Sequence, residues 1–191
     1  MEDLSAALFG RERQESFFRE NEIKAENAAR KLVKRLASKK LTLALAESCT
    51  GGLISEIITR VSGASAVLWG SFVCYSPSAK KKMLCIDEDL LVRFGLVSGE
   101  TAGEMAAKAM EISGAVLAAS VTGLADPVCH LDTEERGVRP GTVWIAVAGR
   151  GDSGRDRIAK KKLFFRGSRA EVRIQAAVAV LEELLATVDN F

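Results

Sequence analysis

Ser48-Cys49-Thr50-Gly51-Gly52 lies between a short apolar run over 41–46 and a segment with helical spacing, marked by Leu53, Ile54, Ile57 and Ile58. A serine between a buried strand and a helix stands where ligands gather in an α/β sheet, beyond the carboxyl ends of the strands. The amides of Cys49, Thr50 and Gly51 are then unpaired donors at a helix N-terminus, suited to an oxyanion or a phosphate. The plainer reading stands beside it: Ser48 or Thr50 is a helix cap and the glycines serve packing.

A serine becomes a nucleophile only beside a base. The chain has one His, His130. The stretch Tyr75-Ser76-Pro77-Ser78-Ala79-Lys80 offers a second route: a lysine kept neutral by burial or by a neighbouring cation, with Lys81 and Lys82 as that neighbour. Against it, Lys80 to Lys82 read as a solvated basic face, and Tyr75, the single Tyr, as a core residue with its hydroxyl at the rim. Thr122-Gly123 ends another apolar run and joins the same sheet edge, followed by Asp126, Cys129 and His130. Cys49 with His130 is a further nucleophilic pairing, though nothing local orients either residue. Arg169 and Arg173 open the last helix one turn apart, against the helix dipole, a placement that an anionic ligand or partner would offset.

These residues need a scaffold, and the spacing of apolar residues predicts one. Helices are expected over 15–38, 53–60, 78–84, 87–94, 101–112 and 169–188, and strands over 41–46, 66–75, 115–122, 141–148 and 157–165. Ser76 and Ser98 are the expected N-caps, Pro77 opens a helix, and Gly95 and Gly114 close two others. The stretch 123–140 is a long loop, and residues 1–14 carry little pattern and read as a tail or a helical partner arm. Residues 1–24 are taken as a tail and the start of a helix, and 25–191 as one domain. Lys160 to Lys162 fall on an expected edge strand, where lysines discourage aggregation. Strands alternating with helices, plus a terminal hairpin, predict an α/β chain: a three-layer α/β/α sandwich with a mixed, mostly parallel sheet.

Composition narrows the partners. With 191 residues the chain buries roughly 70% of its unfolded surface and needs neither metal nor disulfide to fold. Lys+Arg is 27 and Asp+Glu 25, a formal net charge of +2, which offers no bulk charge for nucleic acid or membrane binding. No uncharged stretch reaches the ~20 residues of a membrane span. The start Met1-Glu2-Asp3 is acidic where an export signal is basic, so a cytoplasmic protein is expected. Cys49, Cys74, Cys85 and Cys129 contain no C-x-x-C, so no metal or cofactor is expected and the thiols are read as reduced.

The motifs taken together resemble the CinA C-terminal domain family: Ala46-Glu47-Ser48-Cys49-Thr50-Gly51-Gly52, then Tyr75-Ser76 with Lys80, then Val121-Thr122-Gly123, then Gly141-Thr142-Val143-Trp144-Ile145-Ala146, and Gly167-Ser168-Arg169 with Val172-Arg173, in order and at matching spacing. The resemblance covers roughly residues 25–188, without the competence-associated domain that precedes this unit in longer relatives. It implies a metal-independent amidohydrolase that converts nicotinamide mononucleotide to nicotinate mononucleotide and ammonia in pyridine nucleotide salvage. It also implies a homo-oligomer, a dimer or higher. By motif, Ser48 is then the nucleophile, Lys80 the base, and Tyr75 an aid to proton transfer or to placing Lys80. Cys49, Thr50 and Gly51 belong to the oxyanion turn, Thr122 and Gly123 to the substrate pocket, and Arg169 to a phosphate. One departure follows Thr122-Gly123. Family members continue with Ile-Ala-Gly-Pro and a Gly-rich loop; here the chain reads Leu124-Ala125-Asp126-Pro127-Val128-Cys129-His130. A carboxylate at 126 repels a nearby phosphate. That difference keeps two alternatives in view: a nucleotide-binding or regulatory module with weak turnover, and an amidohydrolase for another amide.

Overall fold

The computed structural model describes residues 2–126, 137–150 and 156–189, with side chains from Glu12 on. Its strands are β1 (Leu43–Glu47), β2 (Leu68–Val73), β3 (Leu117–Gly123), β4 (Thr142–Arg150) and β5 (Asp156–Phe164). Its helices are α1 (Glu2–Lys39), α2 (Leu53–Thr59), α3 (Pro77–Leu84), α4 (Glu88–Phe94), α5 (Gly99–Ser113) and α6 (Arg169–Val188). The sheet order is β2-β1-β3-β4-β5. β1 pairs in parallel with β2 and β3, and β3–β4 and β4–β5 pair antiparallel, so only β4 runs against the rest. This is the expected mixed α/β sandwich.

Alternation along the strands builds two unlike faces. Leu43 and Leu45 of β1, Leu117, Ala119 and Val121 of β3, and Val143, Ile145 and Val147 of β4 enter one core with α1, α2 and α6. The residues between them are small. Ala44, Ala46, Ala118, Ala146 and Ala148 meet Ala102, Met105, Ala106 and Ala109 of α5 and Leu84 of α3. Alanines on both sides let α5 lie close to the sheet, and Ser120 Oγ donates to the Ala102 carbonyl at 2.6 Å.

The expected stripe of Ala28, Leu32, Val33 and Leu36 is buried, but α1 begins at Glu2 rather than at 15. Residues 2–14 hold no proline and many helix formers, so they extend a helix already nucleated by its buried half. They were read as a tail because they lack the apolar period. The caps fall as expected. Ser76 accepts from the Ala79 amide with Pro77 next to it, Ser98 accepts from the Thr101 amide, and Gly114 closes α5 at φ 69°. Ser168 and Glu171 form a reciprocal capping box on α6. β5 is an exposed edge strand, with Lys160 beside Glu100, Lys161 on Glu183 and Lys162 over the Trp144 ring. Among the described residues, no helix is long and apolar enough to cross a membrane.

Candidate active site

β1, β2 and β3 point their carboxyl ends to one edge of the sheet, and the motif residues gather there. Ser48 follows β1, Tyr75 follows β2, Thr122 and Gly123 finish β3, and Lys80 reaches in from α3. They line a cavity of about 170 Å³, with Asp126 and Arg169 at its mouth.

Lys80 is the side chain that decides the character of this cavity. It is 1% exposed, on the sheet-facing side of α3. Its Nζ donates to Ser48 Oγ at 2.8 Å and to the Cys74 carbonyl at 2.9 Å. Burial pushes its pKa down, opposed by the thiols of Cys74 and Cys49. The cation once assigned to that task is elsewhere, because Lys81 pairs with Glu88 at 2.6 Å and neither Lys81 nor Lys82 contributes to the shift. The reading of Lys80 as a solvated face is therefore wrong: Pro77 and Ser76 set the phase of α3, and that phase turns Lys80 inward. Ser48, 6% exposed, has a buried amine within hydrogen-bond reach. Such a pair can deprotonate the hydroxyl and return the proton to a leaving group.

Neither Ser48 nor Thr50 caps α2. The N-cap is Gly52, at φ 94°, with no side-chain cap of its own. The donors of the helix start are taken by Glu47. Its fully buried carboxylate accepts from the amides of Gly52, Ile54 and Ser55 and from the hydroxyls of Thr50 and Ser71, all at 2.9–3.0 Å. A built-in anion thus sits where a helix N-terminus would otherwise bind a phosphate. Gly51, at φ 62°, gives its amide to the Ser48 carbonyl at 3.0 Å. Of the three turn amides, those of Cys49 and Thr50 are left for an oxyanion. Arg173 Nη2 donates to the Thr50 carbonyl at 2.6 Å and clamps the turn from α6.

Tyr75 stands at the rim, and its hydroxyl accepts from Arg169 rather than bonding to Lys80 or Ser48. Arg169 Nη1 also donates to Asp126 Oδ2 at 2.9 Å. Thr122 Oγ1 donates to the Leu96 carbonyl at 2.7 Å and fixes the cavity wall. At Gly123 an added Cβ would lie 2.8 Å from Val143 Cγ2 and 2.9 Å from the Thr142 carbonyl oxygen. Gly123→Ala is expected to cost about 1–3 kcal/mol, because backbone must shift to admit the methyl; a thermal melt checks it.

The Cys49–His130 pairing finds no support at its cysteine. Cys49 is 5% exposed, and burial pushes its thiol up to about 12. His130, Cys129 and Val128 lie outside the described residues, as does the tip of the β4–β5 hairpin. Cys49, Cys74 and Cys85 are free thiols, and no metal-binding cluster occurs among the described residues. The sequence reading missed the roles of Glu47 and Arg173. For Glu47 a signal existed: a carboxylate inside an otherwise apolar strand end demands partners, and the adjoining turn and helix start supply donors.

The comparisons agree with this geometry. The family model of the CinA C-terminal domain matches residues 25–188. The chain is 43% identical over 140 residues to the nicotinamide-nucleotide amidohydrolase PncC of Enterobacter agglomerans, covering 73% of this chain and 80% of that one. It is 40% identical over 181 residues to a CinA-like protein of Citrifermentans bemidjiense, covering 95% of this chain but 39% of that protein, so it spans under two fifths of that longer relative. Among solved structures, the competence/damage inducible protein of Agrobacterium tumefaciens is similar at TM-score 0.76 and 34% identity, covering 85% of this chain and 94% of that one. A competence damage-inducible protein of Klebsiella pneumoniae is similar at TM-score 0.80 and 26% identity, covering 87% and 98%.

Proposed function

The chain belongs to the CinA C-terminal domain family, and from that premise we propose that it is a serine amidohydrolase that deamidates nicotinamide mononucleotide to nicotinate mononucleotide and ammonia. The observation that carries the proposal is the buried Lys80 amine, 2.8 Å from Ser48 Oγ on the floor of an open cavity. Neutral Lys80, with one N–H on the Cys74 carbonyl, takes the Ser48 proton as Oγ attacks the carboxamide carbon. The amides of Cys49 and Thr50 face the oxyanion of the tetrahedral intermediate. The Lys80 ammonium then protonates the departing nitrogen, ammonia leaves, and an acyl ester remains on Ser48. Water, deprotonated by the same amine, attacks the ester; the proton returns to Ser48 and the acid is released.

Thr122 and Gly123 form the wall against the aromatic amide, and Arg169 is the cation available to the phosphate. Tyr75 acts as the rim and as a partner of Arg169, because its hydroxyl is engaged there and not on Lys80. No step calls for a metal or cofactor.

The wild-type protein is expected to release one ammonia per nicotinamide mononucleotide consumed, with nicotinate mononucleotide as the other product, measured by coupled ammonia assay and chromatography. Binding of the mononucleotide by calorimetry without ammonia release would overturn the enzyme reading in favour of a binding module. Faster turnover of an unrelated amide would replace the substrate.

A further inference from the structure

Arg169 forms a bridge across the mouth of the cavity. Its Nη1 donates to Asp126 in the stretch after β3, and its Nη2 to the Tyr75 hydroxyl after β2. Three elements far apart in sequence meet in this bridge, directly over Ser48 and Lys80. Of the described residues that line the cavity, only Lys80 and Arg169 carry cationic groups. Lys80 is buried and held by Ser48 and Cys74, which leaves Arg169 to meet an anion. Its side chain is 46% exposed and that of Asp126 27%, so water screens the pair and an incoming anion can exchange with it. A guanidinium fork receives a carboxylate and a phosphate in the same geometry. Arg169 is also the first residue of α6, where the helix dipole favours negative charge.

We propose that Asp126 is a built-in competitor for Arg169: its carboxylate holds the place at the cavity mouth that the anionic group of the substrate takes. The Asp126–Arg169 pair thereby sets the preference for a phosphorylated over an unphosphorylated amide. Asp126 acts through Arg169 and is a specificity residue. The naming of the substrate rests on the amidohydrolase reading, while the exchange of anions on Arg169 does not.

The test uses the full chain with Asp126→Asn and Arg169→Gln, both at partly exposed rim positions. The readout is the ratio of kcat/KM for nicotinamide mononucleotide to that for nicotinamide riboside. Asp126→Asn is expected to raise this ratio about fivefold, and Arg169→Gln to lower it about tenfold. Inorganic phosphate, titrated by calorimetry, is expected to bind tightest to Asp126→Asn, less to wild type and least to Arg169→Gln. A ratio that Asp126→Asn leaves unmoved, or equal phosphate affinity in all three proteins, overturns the proposal. If wild type releases no ammonia from either amide, the amidohydrolase reading fails, and the order of phosphate affinities alone then upholds or overturns the exchange.

Discussion

Ser48→Ala and Lys80→Met each abolish ammonia release, and the double variant is no slower than either alone. The two groups act as one unit, so removing either removes the step both serve. Loss of the base is expected to lower kcat by about 10²–10⁴-fold, and loss of the nucleophile by at least that much. KM is expected to move little, because neither group holds the remote parts of the substrate.

The same amine predicts two pH dependences. Burial lowers the pKa of Lys80 below its ordinary 10.5. Neutral amine, and with it kcat/KM, therefore rises as pH climbs through the lowered folded value, and the rise ends below 10.5. For stability, the unfolded chain holds more protons than the folded one between the lowered value and 10.5, so unfolding free energy increases with pH in that window. Lys80→Met removes this slope. Its melting temperature relative to wild type is expected to climb as pH falls from 10.5 toward the folded value. An unchanged difference across that range would show that Lys80 is not desolvated as its burial indicates.

Glu47→Gln is expected to damage fold and turnover together. Oε2 of Glu47 receives Thr50 Oγ1 and the amides of Gly52 and Ile54, and Oε1 receives the Ser55 amide and Ser71 Oγ. Gln keeps the shape but presents an NH2 to donors on one side. Bonds to a charged acceptor are worth about 1.5–3 kcal/mol each, and a stranded buried donor costs about 1–3 kcal/mol. We expect a loss of about 3–5 kcal/mol, read as a melting temperature about 6–20 °C lower. The backbone of Glu47 matters as well. Its carbonyl accepts from the Cys74 amide at 2.9 Å, and the Cys74 carbonyl holds Lys80. One residue thus places the nucleophile turn and the anchor of the base. Measured well below the melting temperature, kcat is expected to fall more than KM rises. A purely structural residue would leave both at wild-type values once the protein is folded.

Much of the scaffold could be read from local pattern, because its signals are local. The stripe of Ala28, Leu32, Val33 and Leu36, the serine caps at 76 and 98, and the Val- and Ala-rich runs each carry their own period or turn chemistry. Where the pattern stopped, so did the reading. Residues 2–14 join α1 although no apolar period marks them, since a helix propagates from a packed neighbour more readily than it begins. Site residues divide the same way. Ser48, Thr122 and Gly123 could be placed at one sheet edge because each ends an apolar run.

The sequence by itself determined the α/β class, the family, and the positions of Ser48, Tyr75, Lys80 and Arg169 along the chain. Only the tertiary structure decided what each of them touches. Lys80 turned from surface residue to buried amine because the phase of α3, set at Ser76 and Pro77, aims it at Ser48 across 32 positions of sequence. Tyr75 went to Arg169, and Asp126, expected to repel a phosphate, was found paired with the cation that would bind one. Glu47, unmarked as a functional residue, became the anion of the α2 N-terminus. Each of these outcomes depends on a charge or a hydrogen bond meeting a partner distant in sequence. The composition of a motif states which groups are present; burial and distance, which only folding sets, state which of them interact.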